Sequence, residues 1–249
     1  MNITWLGQGG FLITLPGARI AVDPYLSDTL AAKGLVRLVP PPIAPEELAP
    51  TLVVATHDHD DHFDPATVAG IERAGGNCLY AGSASVISHA RELGIPSDRC
   101  IQLHWQEQAE HAGAILSAAP AEHDGDAIGL IVEHARRRIY ISGDSVWFDE
   151  LASGVAKAAR GPLDLALICI NGRWGNMTWQ QALEVVKALR PATAVPMHYG
   201  MFASNTVDPG PFVAAVREVG IGATTLQVGV PMDLEEIVKQ GREPQSESR

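Results

Sequence analysis

Thr56-His57-Asp58-His59-Asp60-Asp61-His62 follows directly on the apolar run Leu52-Val53-Val54-Ala55. The run is short, partly β-branched and preceded by Pro50, which reads as a buried strand. The polar cluster therefore sits at a strand exit, where sheet-based folds place their ligands. It has the form His-x-His-x-Asp-His, and imidazole nitrogen and carboxylate oxygen are the donors that zinc, manganese and iron accept. In extended chain His57 and His59 point the same way. Asp61 and His62 are adjacent and cannot both join that pair, so the stretch implies a second metal. A solvated, histidine-rich loop is the bland alternative, and the regular ligand spacing outweighs it.

Composition sets the frame. The chain has 249 residues, 46% of them hydrophobic and 19% charged, which suits one well-buried globular domain over 1–240. Net charge is −11, which argues against a nucleic-acid footprint. Cys78, Cys100 and Cys169 are far apart and lie in or beside apolar runs, so they read as reduced core residues. The chain shows no basic leader and no run long enough to span a membrane. The cytoplasm is the expected location. Residues 241–249 are polar and are expected to be a disordered tail.

Residues 3 to 24 read as a β-meander with a turn at Pro16-Gly17. Pro40-Pro41-Pro42 marks a stiff loop near the site or at a subunit contact, which leaves a homo-oligomer open. Asp64-Pro65 starts a helix ending before Gly75, and Ala84 to Leu93 is a second helix closed by Gly94. Strands are expected near 77–80, 100–103, 114–117, 128–132, 138–142, 165–170, 192–196 and Leu226. Helices are expected over 148–159, from the Thr178/Gln181 capping box onward, and over 211–219. Arg19-Ile-Ala-Val-Asp23 and Arg138-Ile-Tyr-Ile-Ser-Gly-Asp144 both end a strand on aspartate, which hints at two similar halves.

Single polar residues recur at strand exits: the His57 cluster, His123, Asp144 and His198. With these the sequence resembles the metallo-β-lactamase superfamily. Trp5-Leu6-Gly7-Gln8-Gly9-Gly10-Phe11, Asp23-Pro24-Tyr25-Leu26-Ser27-Asp28, Pro40-Pro41-Pro42-Ile43, Glu122 to Gly129, Ile170 to Arg173 and Asn176-Met177-Thr178 resemble its L-ascorbate-6-phosphate lactonase-like branch. The resemblance implies an α/β four-layer αβ/βα sandwich. It also implies two divalent ions, manganese or zinc. His57, His59 and His123 would hold one, Asp61, His62 and His198 the other, and Asp144 would bridge them.

Two ions bring four positive charges and Asp61 and Asp144 return two, so the pocket would favour an anion within an acidic protein. A hydroxide between the ions would attack a small, phosphorylated lactone or ester, with Asp61 and Asp144 as the catalytic carboxylates. Asn171, Arg173, Tyr25 and Tyr199 are the expected substrate contacts, and each has a structural reading beside it. Asp23, Asp58, Asp60 and Asp64 are expected to cap loops or orient imidazoles. His89, His104, His111 and His134 receive no catalytic role. A phosphodiesterase of the same superfamily is the nearest rival, and a non-enzymatic RNA-binding or regulatory protein is the rival of a different class.

Overall fold

A computed structural model describes residues 1–75 and 77–243. The first half holds β1 (Asn2–Gly7), β2 (Gly10–Leu15), β3 (Ala18–Val22), β4 (Leu52–Ala55), α1 (Pro65–Arg73), β5 (Leu79–Gly82), α2 (Ala84–Glu92) and β6 (Cys100–Gln102). The second holds β7 (Gln108–His111), β8 (Ala114–Pro120), β9 (Ile128–His134), β10 (Arg137–Ile141), α3 (Leu151–Ala159), β11 (Leu165–Cys169), α4 (Trp179–Leu189), β12 (Thr193–Met197), α5 (Gly210–Glu218) and β13 (Gly222–Ala223). β14 (Pro231–Asp233) and α6 (Leu234–Arg242) close the described chain.

The strands form two seven-stranded mixed sheets, in the orders β14-β1-β2-β3-β4-β5-β6 and β13-β12-β11-β10-β9-β8-β7. Alternation along the strands builds two cores. Ile20, Val22, Leu52 and Val54 face the second sheet and join its Leu130, Ile139 and Leu167. Ala21, Val53 and Ala55 face the other way and pack with Val68, Ile71 and Val86 of α1 and α2. β4 is buried on both faces, as its unbroken apolar run and its parallel neighbours β3 and β5 require. α3, α4 and α5 pack on the second sheet, so the layers run helix, sheet, sheet, helix. This is the expected four-layer sandwich.

The two aspartate-ended strands occupy equivalent places. β1 to β6 pair antiparallel, antiparallel, then parallel three times. β8 to β13 repeat that order. β3 and β10 are thus counterparts, and Asp23 and Asp144 leave them at the same edge of their sheets.

Helix starts follow their caps. The Asp64 carboxylate accepts from the backbone of Ala66 and Thr67 at the head of α1. Thr178 and Gln181 form the reciprocal capping box of α4. Elsewhere the boundaries move. The strand expected at 77–80 is β5, two residues later, and the helix expected from Phe148 starts at Leu151. No strand runs through Leu226: β13 and β14 lie on either side of it. β7 is absent from the expected strands, because Gln108-Ala-Glu-His is polar; among the described residues it is an edge strand paired only with β8. Gly241 and Arg242, expected in a disordered tail, belong to α6, and residues 244–249 of that expectation lie outside the described residues. Among the described residues no helix is long and apolar enough to cross a membrane.

Candidate metal centre

The parallel strands bring their exits to one edge. Asp23 follows β3, His57 to His62 follow β4, Asp144 follows β10 and His198 follows β12. β8 runs parallel to β10 through β9, so the loop after Pro120 brings His123 to the same edge. The seven expected ligands converge. His57, His59 and His123 form one group of donors, and Asp61, His62 and His198 form a second. Asp144 groups with His57 and His62 between them.

The outer ring nitrogens show which lone pairs face inward. The Thr56 hydroxyl donates to Asp23 Oδ2 at 2.8 Å, so its 3.0 Å contact with His57 Nδ1 must be a bond donated by the imidazole. His62 Nδ1 lies 2.8 Å from Asp23 Oδ2, and His123 Nδ1 donates to the carbonyl of Gly175 at 3.1 Å. His59 Nε2 lies 3.4 Å from Asp124. His57 and His123 therefore present an unprotonated Nε2, and His62 Nε2 and His59 Nδ1 face the same space. Asp23 orients rings in both groups, His62 directly and His57 through Thr56, as expected of it. His198 differs, since its outer Nδ1 is buried without a partner.

The inward atoms fit a cation better than they fit one another. His57 Nε2 and His59 Nδ1 are 3.0 Å apart, and His59 Nδ1 and His123 Nε2 are 3.3 Å apart. His62 Nε2 and His198 Nε2 are 3.4 Å apart. Donors about 2.0–2.2 Å from one ion lie about 3.0–3.6 Å from each other. Ring nitrogens at that spacing need a proton or a metal cation between them. Asp144 Oδ1 is buried with no hydrogen-bond partner, and it lies 3.1 Å from His198 Nε2 and 3.5 Å from His62 Nε2. Asp144 Oδ2 faces the other group, 3.9 Å from His123 Nε2.

Charge is already sorted in the protein itself. Burial and the neighbouring His62 cation push His57 well below the ordinary imidazole range, so it is a neutral donor. Burial opposes a charge on His62 too, but Asp144, Asp23 and Asp61 outweigh it and raise His62 well above that range. Burial would raise the carboxyl of Asp144, yet His198 and His62 hold it well below the usual carboxylate range. A bound ion would displace the His62 proton.

The remaining acidic residues of the loop act locally. Asp58 holds His89 at 2.6 Å, Asp60 pairs with Lys33, and Asp64 caps α1. Gln8, given no role of its own from the sequence, reaches the second group: its Nε2 lies 2.9 Å from Asp61 Oδ2 and 3.2 Å from His198 Nε2. Gly9 makes room for His62, because a Cβ there would stand 2.8 Å from Cε1 of the ring.

A cavity of about 460 Å³ opens over the donors. The four expected substrate contacts do not line it. Tyr25 is 1% exposed and packs on Phe202, with the Arg37 guanidinium over its ring. Tyr199 stacks at a tilt on Trp5 with centroids 5.0 Å apart, and burial pushes its phenol up to about 12. Asn171 donates to Asn205 Oδ1 at 2.8 Å, and Arg173 donates to the carbonyl of Ser204 at 3.4 Å. The walls come instead from Leu30, Leu35, Trp174, Asn176 and Asn205. Among the described residues no lysine or arginine lines the cavity, whereas Asp58, Asp60 and Asp124 do.

Gly175 couples wall to ligand. Its φ is +81°, and a Cβ would stand 2.9 Å from His123 Nδ1. Gly175→Ala is expected to cost about 1–2 kcal/mol in backbone strain and to displace His123. Melting curves with and without chelator check this: the variant should lose more of its metal-dependent gain in Tm than of its metal-free Tm.

The family profile described as "Beta-lactamase superfamily domain" matches residues 18–199. The chain belongs to the metallo-β-lactamase superfamily. A UPF0173 metal-dependent hydrolase of Thermoplasma acidophilum is 28% identical over 242 residues, covering 94% of this chain and 99% of that protein. Igni18, a metallo hydrolase of the archaeon Ignicoccus hospitalis, superposes with a TM-score of 0.73 at 25% identity, covering 93% of this chain and 98% of that one. An isothiocyanate hydrolase from Delia radicum gut bacteria shares the fold, with a TM-score of 0.76 at 20% identity over 94% of this chain and 99% of that one.

Proposed function

We propose that this chain, a metal-dependent hydrolase of the metallo-β-lactamase superfamily, cleaves a small lactone or ester with two divalent ions, manganese or zinc. The observation that carries the reading is the split of Asp144, with Oδ1 toward His62 and His198 and Oδ2 toward His123. A carboxylate so placed would serve two ions at once. When bound, the ions supply Lewis acidity and bring the pKa of water to near neutrality. The residues do the rest. His57, His59 and His123 would hold one ion, and Asp61, His62 and His198 the other. Asp23 orients His62 directly and His57 through Thr56.

The walls support a carbonyl substrate over a phosphodiester or RNA. A polyanion entering the cavity would meet Asp58, Asp60 and Asp124 and no side-chain cation among the described residues. Arg173, the expected phosphate anchor, is engaged with Ser204 outside the lining. The three unpaired cysteines support a reducing compartment, and the cytoplasm is our reading.

Elemental analysis and a substrate panel test the proposal together. Two equivalents of metal per chain are expected after reconstitution with manganese or zinc, with turnover of lactones or esters exceeding that of phosphodiesters. One equivalent at saturation rejects the dinuclear reading, and activity confined to phosphodiesters rejects the acyl one.

A further inference from the structure

We infer that Asn176 and Asn205 form a neutral hydrogen-bonding surface for the substrate, with the Asn176 amide donating to the reacting acyl oxygen, so that the site takes an uncharged lactone or ester. The inference rests on the acyl-hydrolase reading above. Asn176 lines the cavity and is 7% exposed. Both its Nδ2 and its Oδ1 are buried without a hydrogen-bond partner among the described residues. Such an amide is rare in a folded protein, and its partner is to be sought in what the cavity binds.

The backbone on either side of Asn176 is clamped to the metal centre. The preceding carbonyl, of Gly175, accepts from His123 at 3.1 Å. The following N–H, of Met177, donates at 2.8 Å to the carbonyl of Ser145, next to Asp144. Asn176 is thus held between the segments that carry His123 and Asp144. An acyl oxygen attacked there gains negative charge, and a fixed N–H donor stabilises that charge without having to reorganise.

Asn205 adds a second donor. Asn171 Nδ2 donates to the carbonyl of Arg173 at 3.3 Å, which fixes the orientation of the Asn171 amide. The same Nδ2 donates to Asn205 Oδ1 at 2.8 Å, so the acceptor of Asn205 is occupied. Its Nδ2 has no hydrogen bond among the described residues, and Asn205 lines the cavity. Asn171 is therefore a positioning residue one step behind the wall. Two neutral amides, an exposed indole at Trp174 and the side chains of Leu30 and Leu35 suit a polar carbonyl on an apolar body. Asp124, on the same lining, disfavours an anionic extension beside it.

The test uses the manganese-loaded protein, a lactone, and the same lactone carrying a phosphate. The uncharged lactone is expected to react at least as well; a kcat/KM tenfold or more in favour of the phosphorylated one overturns the inference. Asn176→Ala is expected to lower kcat by about 10²-fold. Its metal content and Tm should match the wild type, because no protein hydrogen bond is lost. Asn176→Asp keeps the acceptor and loses the donor, and it should be impaired at least as much; wild-type kcat in Asn176→Asp overturns the donor role. Asn205→Ala should raise KM about threefold to tenfold with kcat nearly unchanged. A lower Tm with intact kinetics in the alanine variants would mean that both amides are structural, and it overturns the inference while leaving the acyl-hydrolase reading standing. No turnover of either lactone by the wild type overturns both.

Discussion

Asp144→Ala is expected to lower kcat by about 10³-fold, equivalent to about 4 kcal/mol, and to weaken binding of both ions. The side chain stands at a strand exit, 5% exposed, and is not part of either hydrophobic core, so the sandwich should persist. Its loss removes the one carboxylate whose two oxygens face different donor groups, and with it the element that sets the spacing between them. Asp144→Asn is the sharper variant. It keeps the volume, but one of the two faces becomes an N–H and can no longer accept a cation. Metal titration followed by calorimetry should then show two unequal sites where the wild type shows two tight ones. Wild-type turnover in metal-replete Asp144→Ala would reject the bridging role.

Asp23→Asn should do more than its distance from the substrate suggests. Three donors converge on this buried carboxylate: the backbone N–H of Thr56 at 2.7 Å, the Thr56 hydroxyl at 2.8 Å, and His62 Nδ1 at 2.8 Å. An asparagine can accept on one face only, so its NH2 meets either the Thr56 hydroxyl and His62 or the Thr56 backbone N–H. In the first case His62 must move its proton to Nε2, which takes away the lone pair offered to the ion. Metal affinity at the Asp61/His62/His198 group is expected to fall about 10- to 100-fold. Leaving a buried donor unmatched should cost a further 1–3 kcal/mol or so of stability. A chelator competition assay reads the first effect, and denaturant unfolding of the metal-free protein reads the second. Equal loss at both donor groups would show that the Thr56–His57 relay matters as much as the direct bond.

The seven donors were named through the resemblance to the metallo-β-lactamase superfamily, on polar residues in the loops after β4, β8, β10 and β12, and strand exits in a parallel arrangement share an edge. The paired halves were legible through the aspartates that end β3 and β10. The substrate walls were not. Asn171 and Arg173 lie at the exit of β11, but the chain turns there through Gly172 at φ +64°, and it is Trp174 and Asn176 that reach the cavity. A turn of this kind redirects side chains in a way that spacing does not record. Tyr25 could not be placed without knowing that Arg37 and Phe202 enclose it. β7 was hidden by its polarity, which is what an edge position permits.

The donors come from widely separated parts of the chain, His57 to His62 from one sheet and His123, Asp144 and His198 from the other. An ion held by His57 and His123, or by His62 and His198, therefore ties off a long loop, much as a disulfide does. Such a cross-link would be reversible and would answer to the supply of free metal. Chelation would turn a stapled chain into an unstapled one, with the two sheets free to breathe against each other about their shared core. In this protein the cofactor that carries out the chemistry would also decide how tightly the halves are closed.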